Sequence, residues 1–218
     1  MNKYVVNRPA LIMLYGFPGS GKTYFARQLA DSLKGVHLQS DKVRNELFED
    51  PRYDKQETEI VSHLMLYMAE EFLRAGLSVV YDADCSRAKD RRDIREVAYS
   101  TKALPMLVWL QIDLETAFSR VVERDKRKTD DKYAKPMDRT SFEELINKMQ
   151  NPTQSEEYVV ISGKHHYQTQ QNAVTKRLYD AGLLSVEDAQ TGLVKPGLVN
   201  LVPGYGRVDN ARRNISIR

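Results

Sequence analysis

The sequence predicts an α/β domain of three layers, in which a five-stranded parallel sheet lies between layers of helices. Short apolar runs alternate with longer segments of helical periodicity along most of the 218 residues, which is typical of strand–helix–strand units. The apolar runs are continuous rather than alternating, as expected of parallel strands that are covered on both faces. The composition of 41% hydrophobic and 29% charged residues is typical of a domain with a full core and a surface exposed to water.

The predicted strands and helices follow one another along the chain. Apolar runs predict strands at residues 11–15, 36–39, 77–81, 106–112 and 158–162. Helical periodicity predicts helices at residues 22–33, 43–48, 55–74, 87–100, 114–124, 142–149 and 170–184. Gly35 and Gly76 can end the first and third helices. Ser141 and Glu144 form the capping-box pattern that opens the sixth helix.

Two segments fall outside this alternation. Residues 126–137 are densely charged with little apolar periodicity, so we expect a small, exposed, mobile lid at about residues 125–138. From residue 186 onwards the chain becomes rich in Gly, Pro and Asn, and between residues 191 and 218 it carries five bases against one acid. We therefore assign residues 1–185 to the domain and 186–218 to a basic tail, which could contact nucleic acid or a protein partner.

The chain has no sequence feature that predicts a membrane protein. Its apolar run LPMLVWLQI is far too short to cross a bilayer. The single cysteine, Cys85, excludes an internal disulfide and is typical of a reducing compartment. We expect a cytoplasmic protein without membrane contact.

The stretch GFPGSGKT at residues 16–23 matches the Walker A pattern G-x-x-x-x-G-K-[ST] and lies between an apolar strand and an amphipathic helix, as that pattern requires. Glycines let the backbone N–H groups converge on phosphates, and the helix N-terminus adds its dipole. Lys22 can reach the β- and γ-phosphates, and the hydroxyl of Thr23 can bind Mg²⁺. The predicted nucleotide-binding residues of this P-loop are Gly16, Phe17, Pro18, Gly19, Ser20, Gly21, Lys22 and Thr23.

Carboxylates follow the second and third predicted strands. In LQSDKVR, Asp41 would lie beside the phosphates and could accept the proton of an acceptor hydroxyl. Arg44, one helical turn further, could hold an anion on that acceptor. The alternative is that Asp41 only caps a helix. In VVYDADCS, Asp82 ends a hydrophobic strand, where P-loop proteins place a ligand of the Mg²⁺ shell. Asp84 is either a further acceptor contact or an ordinary turn residue.

The lid is preceded by the run FSRVVERDKRK. Arg120 and Arg124 share a helix face, and Arg127 follows just beyond. Mobile arginines that neutralise a transferring phosphoryl group contribute roughly 10³–10⁵ in rate. We select Arg124 and Arg127 as catalytic residues, the alternative being exposed bases paired with Glu123 and Asp125.

The order of these motifs resembles a family of P-loop kinases that includes the kinase half of phage polynucleotide kinase and the zeta-toxin-type kinases. The resemblance covers residues 11–184 and is carried by GFPGSGKT, SDKVR, VVYDADCSRAKDRR and RVVERDKR. It implies a P-loop kinase fold that binds ATP and Mg²⁺. It also implies that Asp41 is the general base, that Arg44 engages the acceptor and that Asp82 lies near the metal.

Two further expectations come from this resemblance. Kinases of this build pack the adenine base after the fifth strand, which indicates Gly163 and Lys164 in ISGKHHYQTQ. Members often carry Thr or Asn after the aspartate of the third strand, whereas this chain has Ala83 and Asp84. The acceptor contacts therefore depart from the family pattern.

Three functions are compatible with the sequence. The first is transfer of the γ-phosphate of ATP to the 5′-hydroxyl of RNA or DNA, favoured by SDKVR and the basic tail. The second is transfer to a small-molecule hydroxyl, such as that of a sugar nucleotide or an antibiotic, as in the zeta-toxin type. The third is a nucleotide-dependent binding switch that is not a kinase.

Overall fold

The computed structural model describes residues 6–184, along which strands and helices alternate. The strands are β1 (Ala10–Tyr15), β2 (Val36–Gln39), β3 (Val79–Asp82), β4 (Leu104–Gln111) and β5 (Tyr158–Ser162). The helices are α1 (Lys22–Leu33), α2 (Ser40–Leu47), α3 (Lys55–Arg74), α4 (Ala88–Ser100), α5 (Leu114–Val122), α6 (Arg139–Lys148) and α7 (Tyr167–Asp180). A 3₁₀ turn at Gln154–Glu156 precedes β5.

The five strands form one parallel sheet in the order β2-β3-β1-β4-β5. The central strand β1 is buried along its whole length, and Leu11 pairs with Val79 of β3 on one side and with Pro105 of β4 on the other. The segment after β1 therefore leaves the sheet between the carboxyl ends of two neighbours, where ligands bind in open parallel sheets.

Helices cover both faces of the sheet. The side chains of β1 on one face of the sheet, including Ile12 and Leu14, pack with α1 and α7. The alternate set, including Leu11 and Met13, packs with α3 and α4, because successive side chains of a strand point to opposite faces. A smaller apolar cluster around Phe142 joins α5 to α6. This arrangement confirms the predicted three-layer α/β class with five parallel strands.

The structure moves several predicted boundaries. Helix α6 begins at Arg139, and its cap is Asp138, whose carboxylate accepts the amide N–H of Ser141 at 2.8 Å. The expectation that Ser141 caps this helix is therefore wrong, because an earlier side chain satisfies that amide. Helix α7 ends at Asp180, before the left-handed Gly182.

The lid and the tail both stay predictions. The chain between α5 and α6 forms turns without helix or strand. The predicted tail at 186–218 lies outside the described residues. Within residues 6–184, none of the helices combines the length and the apolar composition that crossing a bilayer requires.

Candidate functional site

A cavity of about 610 Å³ opens at the carboxyl edge of the sheet. Its walls come from the P-loop after β1, the start of α2, the end of β3 and the segment that includes the lid. Eleven of the predicted site residues line it: Gly16, Pro18, Gly19, Gly21, Lys22, Thr23, Asp41, Arg44, Asp82, Asp84 and Arg124.

The glycines of the P-loop are required by close packing and by backbone conformation. A Cβ atom on Gly19 would lie 2.1 Å from the carbonyl oxygen of Ala117 in α5, well inside van der Waals contact. Gly19 and Gly21 also have φ values of 83° and 95°, in the left-handed region that disfavours other residues. The loop is therefore held tightly against α5 in a conformation that needs glycine.

The P-loop fits a bound phosphate group. Helix α1 begins at Lys22, within the P-loop motif, with no acidic residue in its first turn and no side-chain cap, so its first N–H groups and its dipole are available to an anion. Within the described residues, the buried hydroxyl of Ser20 has no hydrogen-bond partner. A buried polar group without a partner is costly, and a nucleotide phosphate would supply acceptor atoms for the loop.

Lys22 is folded back over the loop. Its ammonium donates hydrogen bonds to the carbonyl oxygens of Gly16 at 2.7 Å and Phe17 at 2.9 Å. Burial lowers its pKa, although the charges of Asp82 and Asp84 oppose this shift. The side chain is therefore half-buried and lies beside the carboxylates of the cavity.

Asp41 is close enough to four charged groups of the cavity for their charges to affect its titration. Burial first, and then the negative charge of Asp82, raise the pKa of Asp41 to about 6, while Arg124, Arg44 and Lys22 oppose the shift. The residue before α2 is Gln39, and no side chain caps this helix. The alternative reading of Asp41 as a simple helix cap therefore has no hydrogen bond to support it.

Arg44 lies in the cavity wall but is already paired. Its guanidinium donates to Glu57 at 3.1 Å and to the hydroxyl of Thr58 at 3.2 Å, and it stacks over the ring of Tyr53 at 4.8 Å. Burial disfavours the charge of Glu57, but the amide groups of Arg52 and Tyr53 donate to it and bring its pKa down to about 2. The ion pair is therefore maintained at neutral pH.

The two aspartates after β3 differ in their surroundings. Asp82 is buried, and one of its oxygens lies 3.0 Å from Nε2 of His37. Asp84 is exposed and accepts the amide N–H of Ser86 at 2.9 Å, so it shapes the turn while it also lines the cavity. Both readings of Asp84 are thus compatible with its position.

The oxygen atoms of Thr23 and Asp82 are the ligand type that Mg²⁺ prefers. Both residues line the cavity next to the P-loop. Residues 6–184 contain no group of three or more His, Cys, Asp or Glu placed to hold a metal. Mg²⁺ commonly takes one or two protein ligands and completes its shell with phosphate oxygens and water, so these two residues fit such a site.

The structure brings Arg120 and Arg124 to the cavity, and it does not bring Arg127 there. Arg124 donates to the carbonyl oxygen of Lys135 in the lid at 3.1 Å, and burial lowers its pKa against the influence of Asp131 and Asp41. Arg127 lies beyond the end of α5, 90% exposed, in an ion pair with its neighbour Asp125.

Gly163 and Lys164 lie away from the main cavity. A Cβ atom on Gly163 would come within 2.6 Å of the carbonyl oxygen of Ser20, so this residue packs against the back of the P-loop. Its own carbonyl accepts a hydrogen bond from Arg120 at 2.9 Å. Lys164 forms an ion pair of 2.6 Å with Asp113 and, with Phe17, lines a second cleft of about 500 Å³.

Sequence reasoning missed two residues that contact Arg44 at the cavity wall, Tyr53 and Glu57. Tyr53 has a left-handed φ of 58°, and its ring contacts both Arg44 and the ammonium of Lys135, each at 4.8 Å. Tyr53 lies before α3 and Glu57 lies in it, outside the motifs singled out in the sequence. The only signal for this loop is the run DPRYD, which predicts a turn and no more.

The fold is shared by solved structures of nucleotide-binding proteins. The APS kinase CysC of Mycobacterium tuberculosis, in complex with AMPPNP and APS, has a TM-score of 0.61 at 17% identity, covering 79% of this chain and 98% of its own. Kti12 of Chaetomium thermophilum, in complex with ADP-AlF3, has a TM-score of 0.62 at 18% identity, covering 78% of this chain and 98% of its own. A gluconokinase from Sinorhizobium meliloti 1021 has a TM-score of 0.55 at 15% identity, covering 80% and 99%.

At these identities the likeness shows the fold alone, an α/β P-loop kinase-like fold. No curated protein matches the chain in sequence. The narrower resemblance to polynucleotide kinases and zeta-toxin-type kinases is not confirmed by these matches. A protein-family model described as an AAA domain matches residues 11–152, a region that includes the P-loop, Asp41, Asp82 and Arg124. Because this match spans more than half of the sequence, the chain belongs to this AAA domain family of P-loop NTPases.

Proposed function

We propose that the chain is an ATP-dependent phosphotransferase that phosphorylates a hydroxyl group. The observation that carries this proposal is the position of Asp41. Its carboxylate lines the same cavity as the P-loop, and the charges of Lys22 and Arg124 affect its pKa. A cavity built only to bind a nucleotide does not need a half-buried carboxylate beside the phosphate site, since that charge repels phosphate.

The P-loop would hold the triphosphate of ATP. The amide groups of residues 16–23 and the N-terminus of α1 supply donors, and Lys22 is placed to exchange its contacts with loop carbonyls for phosphate oxygens. Thr23 and Asp82 are the candidate ligands of Mg²⁺, which would neutralise charge on the β- and γ-phosphates.

Asp41 would act as the general base. It takes the proton of the acceptor hydroxyl while the acceptor oxygen forms a bond to the γ-phosphorus, and the bond from that phosphorus to the β–γ bridging oxygen breaks to release ADP. A base works best when its pKa lies near the working pH. The raised pKa of Asp41, about 6, leaves it ionised at pH 7 and more basic than an ordinary aspartate.

Arg120 and Arg124 would stabilise charge on the transferring group. Both line the cavity and both are held by backbone carbonyls, of Gly163 and Lys135 respectively. Their guanidinium groups are therefore positioned before ligand binds, and preorganised charge is the largest contribution to catalysis in sites of this kind.

Transfer of label from γ-labelled ATP tests the proposal. The acceptors are a panel of nucleosides, sugars, amino sugars and oligonucleotides, separated from ATP after reaction. We expect Asp41→Asn to retain ATP binding, measured by calorimetry with Mg²⁺, and to lose transfer by at least about 10². Lys22→Ala should weaken ATP binding as well. Asp31→Asn, on the exposed side of α1, is the matched control and should retain full activity.

Two results would contradict the proposal. Undiminished transfer by Asp41→Asn would exclude this residue as the base. ATP-dependent binding of a partner, with no label on any acceptor and with Asp41 dispensable, would indicate a nucleotide-dependent switch.

A further inference from the structure

Part of the cavity wall comes from segments other than the P-loop and the charged motifs, and its composition bears on the acceptor. We call this part the acceptor end; it consists of Tyr53 and Thr58 beside α3, Ser86 after β3, and Leu145 and Met149 at the end of α6. These side chains offer hydroxyl groups and apolar surface, and none of them is charged. On this part of the wall, an acceptor whose hydroxyl reaches Asp41 would therefore meet hydroxyl groups and apolar surface.

Arg44, the cation that would hold an anionic acceptor, is already neutralised by an ion pair. Arg44 is 7% exposed and directs its guanidinium into Glu57 and Thr58. Glu57 is fixed in turn by the amide groups of Arg52 and Tyr53. Drawing Arg44 towards a phosphate would break this buried ion pair and leave Glu57 with the exposed Arg52, at 3.3 Å, as its remaining counter-ion, which is unfavourable.

Carboxylates dominate the remaining charge near the acceptor hydroxyl. Asp41, Asp82 and Asp84 all line the cavity. One oxygen of Asp84 accepts the amide N–H of Ser86, and within residues 6–184 the other oxygen makes no hydrogen bond. A carboxylate oxygen with free lone pairs accepts hydrogen bonds from hydroxyl or ammonium groups and repels phosphate.

The other bases of the cavity are on the donor side or at the rim. Lys22 lies on the P-loop, and Arg120 and Arg124 are held over it by backbone contacts. Lys128 and Lys135 also line the cavity but are exposed, with Lys135 over the ring of Tyr53, so water and salt screen their charges. Lys22, Arg120 and Arg124 would meet the triphosphate of ATP, whose negative charge offsets theirs, although Lys22 and Arg124 also lie close enough to Asp41 to oppose the rise in its pKa.

We infer, on the basis of the proposed function, that the acceptor is a small, hydroxyl-rich molecule without phosphate or carboxylate groups, either neutral or carrying an amine. Its reacting hydroxyl contacts Asp41, and a second hydroxyl or amine donates to Asp84. Polynucleotide 5′ ends and phosphorylated sugars are excluded by the same charges.

Matched acceptor pairs test this inference. Glucose is compared with glucose 6-phosphate, adenosine with AMP, and glucosamine is added as the amine-bearing probe; a DNA oligonucleotide with a 5′-hydroxyl represents polynucleotides. Transfer from γ-labelled ATP gives kcat/KM, and calorimetry in the presence of AMPPNP gives binding without chemistry. We expect the phosphate-free member of each pair to be favoured at least about tenfold in both measurements.

Two variants test the charges directly. Asp84→Asn should raise KM for the favoured acceptor at least about fivefold and leave KM for ATP unchanged. Glu57→Gln leaves the charge of Arg44 without a counter-ion, and we expect the preference to shift towards the phosphorylated member of each pair. Circular dichroism checks that Glu57→Gln folds, and Asp84→Asn tests the inference if it does not. Glu46→Gln, exposed on α2, is the control.

The outcomes separate the inference from the function on which it rests. Equal or better use of the phosphorylated members or of the oligonucleotide would overturn the inference and leave the kinase proposal intact. Intact ATP binding, with neither binding nor labelling of any acceptor, would overturn the proposed function and the inference with it.

Discussion

The guanidinium of Arg91 has none of its surface exposed and forms a two-point ion pair with Glu156, at 2.7 and 2.8 Å. The same guanidinium donates to the carbonyl oxygens of Cys85 at 2.9 Å and of Ser86 at 3.3 Å. The pair therefore fixes the turn after β3, which carries Asp84, to the segment that follows α6. One buried cation holds the turn on the acceptor side of the cavity to the 3₁₀ turn that precedes β5.

Removing the charge of Glu156 should destabilise the fold strongly. Glu156→Gln leaves Arg91 buried without its counter-ion, and breaking a buried pair costs about 3–5 kcal/mol in the free energy of unfolding. Urea unfolding at pH 7 measures this change. The neighbouring Glu157→Gln is the matched control, because its side chain is 80% exposed, and it should change stability by less than about 1 kcal/mol. Similar losses for the two variants would contradict the role given to the pair.

The same pair predicts how stability depends on acid. The hydrogen bonds of Arg91, opposed by burial and supplemented by those of Arg95, lower the pKa of Glu156 from 4.5 to about 2. A depressed pKa in the folded state means that the ionised form contributes stability above the ordinary pKa, and that this contribution is lost as the pH falls from about 5 towards 2.

Comparing wild type with Glu156→Gln isolates this contribution. Other carboxylates with a depressed pKa, such as Glu57, titrate in both proteins and cancel in the difference. The free energy of unfolding should fall more steeply with acid in the wild type, so that the two proteins converge near pH 2. A constant difference between pH 6 and pH 3 would show that the charge of Glu156 is not the source of the stability.

Arg124 and Arg127 form a natural pair of variants. Arg124 lines the cavity, whereas Arg127 is exposed and bound to Asp125. We expect Arg124→Ala to lower kcat for transfer by about 10³ or more, as for arginine fingers, and Arg127→Ala to change it by less than about twofold. Steady-state kinetics with saturating ATP measures both. A large effect at Arg127 would show that the lid rearranges to bring this residue to the phosphates.

The different positions of these arginines show which parts of the site are predictable from sequence. The P-loop is a local pattern, in which strand, glycines and helix are contiguous, so its fold and position follow from residues 10–33 alone. Which lid arginine faces the cavity depends on where α5 ends. Because the helix stops at Val122, Arg124 still projects inwards and Arg127 falls in a turn, a difference that charge spacing does not reveal.

The charges around the acceptor could not be predicted from the sequence either, and the reason is different. Arg44 and Glu57 are thirteen residues apart, and Arg91 and Glu156 sixty-five. Each pair forms because tertiary packing buries two charges at one place, and nothing in the local sequence distinguishes Arg44 from a base free to bind substrate. The expectation of an anion-binding arginine came from the motif, and the pairing with Glu57 becomes visible only in the fold.

The pH dependence of transfer gives the sharpest test of Asp41. Burial and the charge of Asp82 raise its pKa to about 6, and only the ionised carboxylate can accept the proton of the acceptor. The value of kcat/KM reports groups of the free enzyme. We therefore expect kcat/KM for the acceptor to fall about tenfold per pH unit below pH 6 and to level off above it.

Replacing Asp82, whose charge neighbours Asp41, should shift the acidic side of this pH profile in a known direction. Asp82→Asn removes a negative charge that favours the protonated form of Asp41, so the midpoint of the acid limb should shift to lower pH even though the rate itself falls with loss of a candidate Mg²⁺ ligand. The exposed Asp31→Asn should leave the midpoint unchanged. A midpoint near pH 4 in the wild type would mean that burial and Asp82 do not raise the pKa of Asp41, and a midpoint that does not respond to Asp82→Asn would mean that the titrating group is not Asp41.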